Sequence, residues 1–307
     1  MQAAQRPKRA KAKRRTHSFK NKQKKTNTMK NFLIRTATGA IFVAVLLGGM
    51  LYNKYTFGIL FALLTMLAVR EFCGLVKEYK KTTFSTVAAV VGGAYLFFAL
   101  FVRNHLGGEY SLQLFAPYMG IVILVFIAQL FDTKSKPLDN FAYFVFSQVY
   151  TALPFALLNV LSTAGAAGGE SYSFVLPLSI FVFIWSNDSG AFCFGCTLGK
   201  HKMFERVSPK KTWEGFAGGA FVAVVAGVVL SHFFDVMNVW EWIGMAITVV
   251  TTATFGDLIE SCIKREMQIK DSGNLLPGHG GMLDRFDSTL LAVPAAIIYL
   301  SFIGVLL

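Results

Sequence analysis

Nine apolar runs, each close to 20 residues long and nearly free of charge, recur along the 307-residue chain. The hydrocarbon core of a bilayer is about 30 Å thick, so a helix that crosses it needs roughly 20 mostly apolar residues. With 54% hydrophobic and 15% charged residues, the composition excludes an ordinary water-soluble domain. The sequence therefore predicts an all-α, polytopic integral membrane protein with about nine transmembrane helices, over residues 33–52, 56–76, 84–102, 114–131, 141–161, 172–195, 214–234, 238–263 and 283–306.

The net charge of +13 is concentrated at the start of the chain. Residues 1–28 hold 11 of the 30 Lys and Arg and no acidic residue, which leaves 19 basic against 17 acidic residues in 29–307. The segment also has too few apolar residues to build a core, so we predict a basic, disordered tail over 1–28 and a membrane-embedded domain over 29–307. Three interpretations of the tail stay open: an extension upstream of a natural start at Met29, attraction to anionic lipid, or contact with RNA or the ribosome.

The basic residues of the predicted connections indicate an orientation. Together with the tail they fall in every second loop, at 77–81, 134–136, 200–211 and 264–270. Short loops rich in Lys and Arg stay on the cytoplasmic side of a membrane. We therefore predict a cytoplasmic N-terminus.

Ionisable groups interrupt the apolar pattern in three segments of the C-terminal half, about 172–307. SNDSGAF carries Asp188 near the end of the sixth run, and SPKKTWEG carries Lys210 and Lys211 just before the seventh. The third segment begins at GDLIES in the eighth run and continues to the start of the last run. Ionisable residues inside membrane segments are expensive and are functional candidates by default. We therefore predict that this half carries the activity.

The acidic residues of the third segment are spaced for a metal site. On a helix, Asp257 and Lys264 share one face, with Glu260 or Ser261 between them, and Asp284 and Asp287 share another. Two acidic faces joined by a glycine-rich loop suit Mg²⁺, which binds through one or two carboxylates together with substrate phosphates. The alternative is that Asp284 or Asp287 caps the last helix, and the residues alone leave both interpretations open.

Residues 261–287, SCIKREMQIKDSGNLLPGHGGMLDRFD, resemble the C-terminal signature of the phosphatidate cytidylyltransferase family, also called CDP-diacylglycerol synthases. Ser, Lys-Arg, Lys-Asp, His-Gly-Gly, Asp-Arg and the final Asp stand at the family's spacing without a gap. SNDSGAF, SPKKTWEG and GDLIES are similar to the family too, so the resemblance covers roughly 30–307. It implies transfer of the cytidylyl group of CTP to phosphatidic acid, giving CDP-diacylglycerol and pyrophosphate, with Mg²⁺ and a second, monovalent cation such as K⁺.

The resemblance also implies roles for the matching positions. Metal ligation falls to Asp257, Asp284 and Asp287. Catalytic roles fall to Lys264, Arg265, Asp271, Asp284 and Arg285. Binding of the nucleotide and its ions falls to Asp188, Lys210, Lys211, Lys270, His279, Gly280 and Gly281. Positive-inside anchoring is the alternative for the Lys210-Lys211 pair, a structural role for His279, and a tight turn for the glycines.

The implied reaction fits these residue types. Two polyanions must approach each other, so cationic side chains and metal ions have to stabilise charge at the α-phosphorus and on the leaving pyrophosphate. The attacking phosphate monoester has a second pKa of about 6 and needs no general base. Arg70-Glu71 in the second run also resembles the family, but adjacent residues of a helix do not face each other, and we interpret the pair mainly as packing against other helices.

Partners and rival functions follow from the same residues. We expect CTP, phosphatidic acid and membrane lipid as partners, a homodimer as the assembly, and no specific nucleic acid. The expected location is a bacterial inner membrane, with the active site facing the cytosol. A cation-coupled transporter with Asp188, Asp257 and Asp284 as midplane ligands is the alternative function. A membrane scaffold that only binds is a third, and it leaves the clustered carboxylates unexplained.

Overall fold

The computed structural model describes residues 36–107, 113–132, 136–166, 171–273 and 280–306. The tail over 1–28, the start of the first predicted span and His279 lie outside these residues. In the described part, helices α1 to α10 follow one another with one short hairpin between α7 and α8. Their bounds are α1 Thr36–Leu51, α2 Lys54–Lys80, α3 Thr86–His105, α4 Ala116–Phe131, α5 Pro137–Phe146, α6 Leu153–Ala164, α7 Val175–Leu198, β1 Lys202–Phe204, β2 Ser208–Thr212, α8 Trp213–Phe233, α9 Val239–Glu266 and α10 Leu283–Phe302.

The predicted membrane spans are confirmed, with ends that differ by a few residues. Eight segments of the described chain are long and apolar enough to cross a membrane, and the described part of α1 is a shorter apolar helix. Helices α5 and α6 form one span over Pro137–Ala164, joined by a π-helical turn at Ser147–Ala152. Pro154 follows this turn and has no N–H to donate, so the wider turn accommodates the missing hydrogen bond.

Side-chain caps fix where several helices begin. Asn53 and Asn238 each accept two backbone N–H groups at the starts of α2 and α9, and each takes part in a capping box. Thr212 accepts from the N–H of Gly215 at the start of α8. These caps set the lengths of the spans, because they satisfy N–H groups that have no partner inside the helix.

Close packing in the C-terminal half depends on glycine. A Cβ on Gly190 of α7 would lie 2.9 Å from Gly219 Cα of α8, so the two helices touch through their backbones. A Cβ on Gly256 of α9 would lie 2.8 Å from the carbonyl oxygen of Asp287 in α10. The second contact brings the predicted acidic positions of α9 and α10 side by side.

The outer surface is apolar. Large side chains such as Ile59, Leu130, Phe131 and Phe302 are exposed, and lipid is the solvent that covers such a surface at low cost. Helix α4 buries only Val125 and Gln129, so it lies at the periphery of the bundle. The protein is therefore an integral membrane protein.

The hairpin β1–β2 is a feature that the apolar pattern does not predict. Its strands pair antiparallel, Lys202 with Thr212 and Phe204 with Ser208, and the register shifts between the two pairs. Glu214 in the first turn of α8 accepts from the backbone N–H of Lys200 and His201 and contacts His201 Nδ1 at 2.6 Å. These contacts hold the base of the hairpin against α8.

Candidate active site

A cavity of about 300 Å³ opens where α1, α7, α9 and α10 meet. The wall on the side of α1 and α7 is mainly apolar and includes Phe42, Val43 and Ile184. The polar wall brings together five of the positions predicted from the sequence: Asp188, Asp257, Asp284, Arg285 and Asp287. Residues separated by almost 100 positions in the sequence thus share one concave, charged site.

Lys264 lies at the centre of a buried ion-pair network beside this cavity. Its Nζ is 2.7 Å from Asp284 Oδ1 on α10 and 3.2 Å from Glu260 Oε1 one turn earlier on α9. The side chains of Lys264, Glu260 and Asp284 are 11%, 1% and 8% exposed, respectively. Because all three side chains are shielded from water, each charge is stabilised mainly by the opposite charge of its partner in the network.

The second oxygen of Asp284 holds the polypeptide that leads into α10. Asp284 Oδ2 accepts hydrogen bonds from the backbone N–H of Ser272 and of Gly281, both at 2.8 Å. Gly280 has a φ of +83°, and a Cβ there would lie 2.6 Å from Asp284 Oδ2. In the structure, the glycine at position 280 therefore makes room for this carboxylate.

Lys211 connects the hairpin to the site. Its Nζ is 2.5 Å from Asp257 Oδ2 and 3.4 Å from the carbonyl oxygen of Thr254, both on α9. The Lys211 and Asp257 side chains are 29% and 30% exposed, so this ion pair is partly open to solvent. Strand β2 thus places the ammonium group of Lys211 next to the acidic wall of the cavity.

The remaining predicted positions lie further out. Lys210, Lys270 and Asp271 are exposed, and Arg265 donates to the carbonyl oxygen of Ile269 at 3.0 Å. Arg285, by contrast, is one of the five positions on the polar wall of the cavity, and it is also exposed. Their assigned roles remain predictions.

Neither Asp284 nor Asp287 is the N-cap of the last helix, α10. The N-cap residue of α10 is Met282, which makes no side-chain capping bond. Asp287 Oδ1 accepts from the N–H of Ser288, the next residue, at 2.6 Å. The backbone N–H groups of Met282 and Leu283 instead donate to Glu71 of α2, at 2.8 and 3.0 Å.

The donor set is chemically suited to a hard cation, but the carboxylates are arranged around lysines. Asp257 and Asp284 each direct one oxygen to an ammonium group. Within the described ranges, no group of three or more His, Cys, Asp or Glu side chains is placed to hold a metal ion together. Carboxylate oxygens of Asp188, Asp257 and Asp287 around one cavity fit Mg²⁺ in type, and the metal-ligand roles stay a prediction.

Two carboxylates of this region were not among the predicted site residues. The sequence pattern places Glu260 on the face of α9 that carries Asp257 and favours a packing role for Glu71, and it assigns neither residue to the site. The signal that could have found both is a charge inside an apolar run, which is costly without a partner.

A polytopic membrane protein with a carboxylate-lined cavity and lysines paired to its carboxylates is suited to binding phosphates. Residues 33–303 match the model of the Cytidylyltransferase family, and the chain belongs to this family. It is 30% identical over 265 residues to a protein of Staphylococcus aureus (strain COL) named phosphatidate cytidylyltransferase, covering 85% of this chain and 96% of that protein. Proteins of the same name from Staphylococcus epidermidis and Staphylococcus saprophyticus are 31% and 30% identical over 272 and 271 residues, with the same coverage.

Proposed function

We propose that this protein transfers the cytidylyl group of CTP to phosphatidic acid, releasing pyrophosphate and forming CDP-diacylglycerol for phospholipid biosynthesis. The observation that carries the proposal is the cavity in which Asp188, Asp257, Asp284, Arg285 and Asp287 meet, with Lys211 and Lys264 paired to two of these carboxylates. Family membership and the names of the relatives support the same reaction.

The reaction requires a phosphate oxygen of the lipid to bond to the α-phosphorus of CTP while the bond to the β-phosphate oxygen breaks. Lys264 and Arg285 supply positive charge next to the cavity, and Lys211 supplies it from the hairpin. Preorganised cations stabilise the charge that develops on the phosphates without reorganising during the reaction. Since the phosphate monoester is ionised at neutral pH, the proposal assigns no general base.

Mg²⁺ would be held by Asp257 and Asp287, with Asp284 as the third predicted ligand, and when bound it would neutralise charge on the CTP phosphates. Asp284 would have to give up part of its contact with Lys264 to take this role. Asp188, which lines the same cavity from α7, is suited to the second, monovalent cation. In both cases the chain would contribute carboxylate oxygen atoms from packed helices.

The proposal includes the arrangement of the enzyme in its membrane. The catalytic half is 172–307, the N-terminus and the β1–β2 hairpin lie on the cytosolic side of a bacterial inner membrane, and the active site faces the cytosol. The basic residues of the hairpin support this side, because Lys and Arg collect in cytoplasmic loops. A homodimer remains a prediction.

The test is an assay of the purified protein in detergent with phosphatidic acid, Mg²⁺ and CTP labelled in the cytosine base. We expect labelled lipid that co-migrates with CDP-diacylglycerol, and none when phosphatidic acid is omitted. The transporter alternative predicts instead a cation flux in proteoliposomes and no labelled lipid. The absence of labelled lipid from a folded preparation would refute the proposal.

A further inference from the structure

Glu71 is an acidic residue in α2, and its carboxylate contacts two separate segments of the chain near the cavity, one through a side chain and one through backbone N–H groups. Its Oε1 accepts from the hydroxyl group of Ser272 and from the N–H of Leu283 at 3.0 Å. Its Oε2 accepts from the N–H of Met282 at 2.8 Å. Glu71 itself is not among the residues that line the cavity.

Glu71 and Asp284 bind neighbouring groups in the same two segments, one at Ser272 and the other at Gly281–Leu283. Ser272 donates its N–H to Asp284 and its hydroxyl group to Glu71. On the other segment, Gly281 donates to Asp284 and Met282 donates to Glu71. Two carboxylates from different helices therefore bind both segments, and one of the two, Asp284, also binds Lys264.

The sequence around these contacts makes room for Glu71. A Cβ on Gly281 would overlap the Glu71 carboxylate, and a Cβ on Gly273 would lie 2.9 Å from Glu71 Oε2. The start of α10 has no cap from its own side chains, so a distant carboxylate takes the place of a local cap. Both glycines and the uncapped helix start are explained by the position of this one side chain.

We propose that Glu71 is a positioning residue for the transfer reaction. By binding the Ser272 side chain and the backbone N–H groups of Met282 and Leu283, it holds Asp284 at the distance from which that carboxylate binds Lys264. The contacts of Glu71 support its role in placing Asp284, whereas the expected effect on catalysis rests on the proposed function. This positioning role goes beyond the interpretation of Glu71 as a packing residue.

The decisive variant is Glu71→Gln, which keeps the size of the side chain. Both oxygens of Glu71 accept hydrogen bonds, so an amide necessarily turns its NH₂ group toward a donor. We expect kcat to fall about 30-fold with KM values for CTP and phosphatidic acid within about threefold, because a small displacement of catalytic groups costs rate more than binding. Glu78→Gln, on an exposed position of the same helix, is the matched control and should keep the parent kcat.

A second measurement does not depend on activity. Glu71 accepts from the N–H groups of both Met282 and Leu283, and Gln keeps an oxygen for only one of them, so hydrogen–deuterium exchange of at least one of these two amides should accelerate at least about tenfold in Glu71→Gln and stay unchanged in Glu78→Gln. Ser272→Ala removes one contact and should produce a smaller loss of kcat. Combined with Glu71→Gln, its effect should be less than additive, because both changes act on the contact between Ser272 and the side chain at position 71.

Faster exchange together with a tenfold or larger loss of kcat per folded molecule supports the proposal. Unchanged exchange refutes the contact. Faster exchange, or a lower melting midpoint, with kcat within threefold of the parent would show that Glu71 only stabilises the fold and would overturn the positioning role. A wild-type protein that makes no labelled lipid refutes the proposed function and with it the positioning role, and the exchange result then tests only the contact between Glu71 and the start of α10.

Discussion

Replacing Asp284 with Asn tests the ion-pair network next to the cavity. Asn keeps the shape of Asp but removes the charge and turns one oxygen into a donor. Asp284 uses Oδ1 for Lys264 at 2.7 Å and Oδ2 for two backbone N–H groups at 2.8 Å. In either orientation of the amide, its NH₂ group faces a donor.

The structure gives the expected size of the effect. A hydrogen bond to a charged group contributes about 1.5–3 kcal/mol, and Lys264 keeps Glu260 as a partner at 3.2 Å, so the free energy of unfolding should fall by about 2 kcal/mol. The loss of kcat should be larger, about 10²-fold or more, because Lys264 is no longer held in place and a predicted metal ligand loses its charge. The two effects are separated by measuring both kcat per folded molecule and the thermal midpoint in detergent.

The matched control is Asp139→Asn, which removes a carboxylate from the first turn of α5, away from the cavity. It should leave kcat unchanged and alter stability by at most a few tenths of a kcal/mol, as expected for an exposed charge at a helix start. If Asp284→Asn behaved like this control, with kcat within threefold of the parent, then neither the network nor the metal role would be needed for catalysis.

Three further predictions follow from the packing and the charges. Lys211→Met breaks the ion pair between the hairpin and α9 and should lower kcat/KM for CTP at least about tenfold. Lys202→Met, on the exposed face of β1, is the control and should leave kcat/KM unchanged. Equal effects of the two variants would contradict a specific role for the ion pair. Gly219→Ala places a Cβ 2.7 Å from a carbonyl oxygen of α7 and should cost about 1–3 kcal/mol, while Gly120→Ala, inside α4 with nothing nearby, should leave stability unchanged or raise it by up to about 1 kcal/mol in a thermal unfolding assay. In a cysteine-free background, an impermeant thiol reagent should label Arg103→Cys in intact cells and Lys202→Cys only after permeabilisation, and the reverse pattern would invert the topology.

The spans could be predicted from the sequence because membrane thickness limits a helix to a recognisable apolar length. The same reasoning located the acidic positions Asp257, Asp284 and Asp287, since charges stand out against an apolar background. Helical spacing correctly placed Asp257 and Lys264 on adjoining parts of α9, and the structure adds that Lys264 reaches across to α10. What spacing along one helix cannot reveal is which partner on another helix a side chain will meet.

The features that were not predicted all depend on contacts between distant segments. The β1–β2 hairpin arises in a polar stretch without strict alternation, and it is held by Glu214 at its base. Glu71 is about 200 residues from the backbone that it binds. Adjacent residues of a helix do not face each other, and this favours a packing role for the pair Arg70-Glu71. The high cost of an unpaired charge in a membrane would instead have pointed to a partner for Glu71 elsewhere in the chain.

The most direct test of the central claim follows each phosphate of CTP separately. Protein in detergent is mixed with phosphatidic acid, Mg²⁺ and CTP that carries ³²P at either the α or the γ position. Cytidylyl transfer predicts that the α label appears in the lipid and the γ label in released pyrophosphate, with both signals lost in the Asp287→Asn variant. Appearance of the γ label in lipid would indicate phosphoryl transfer instead, and no lipid label from either position would contradict the account.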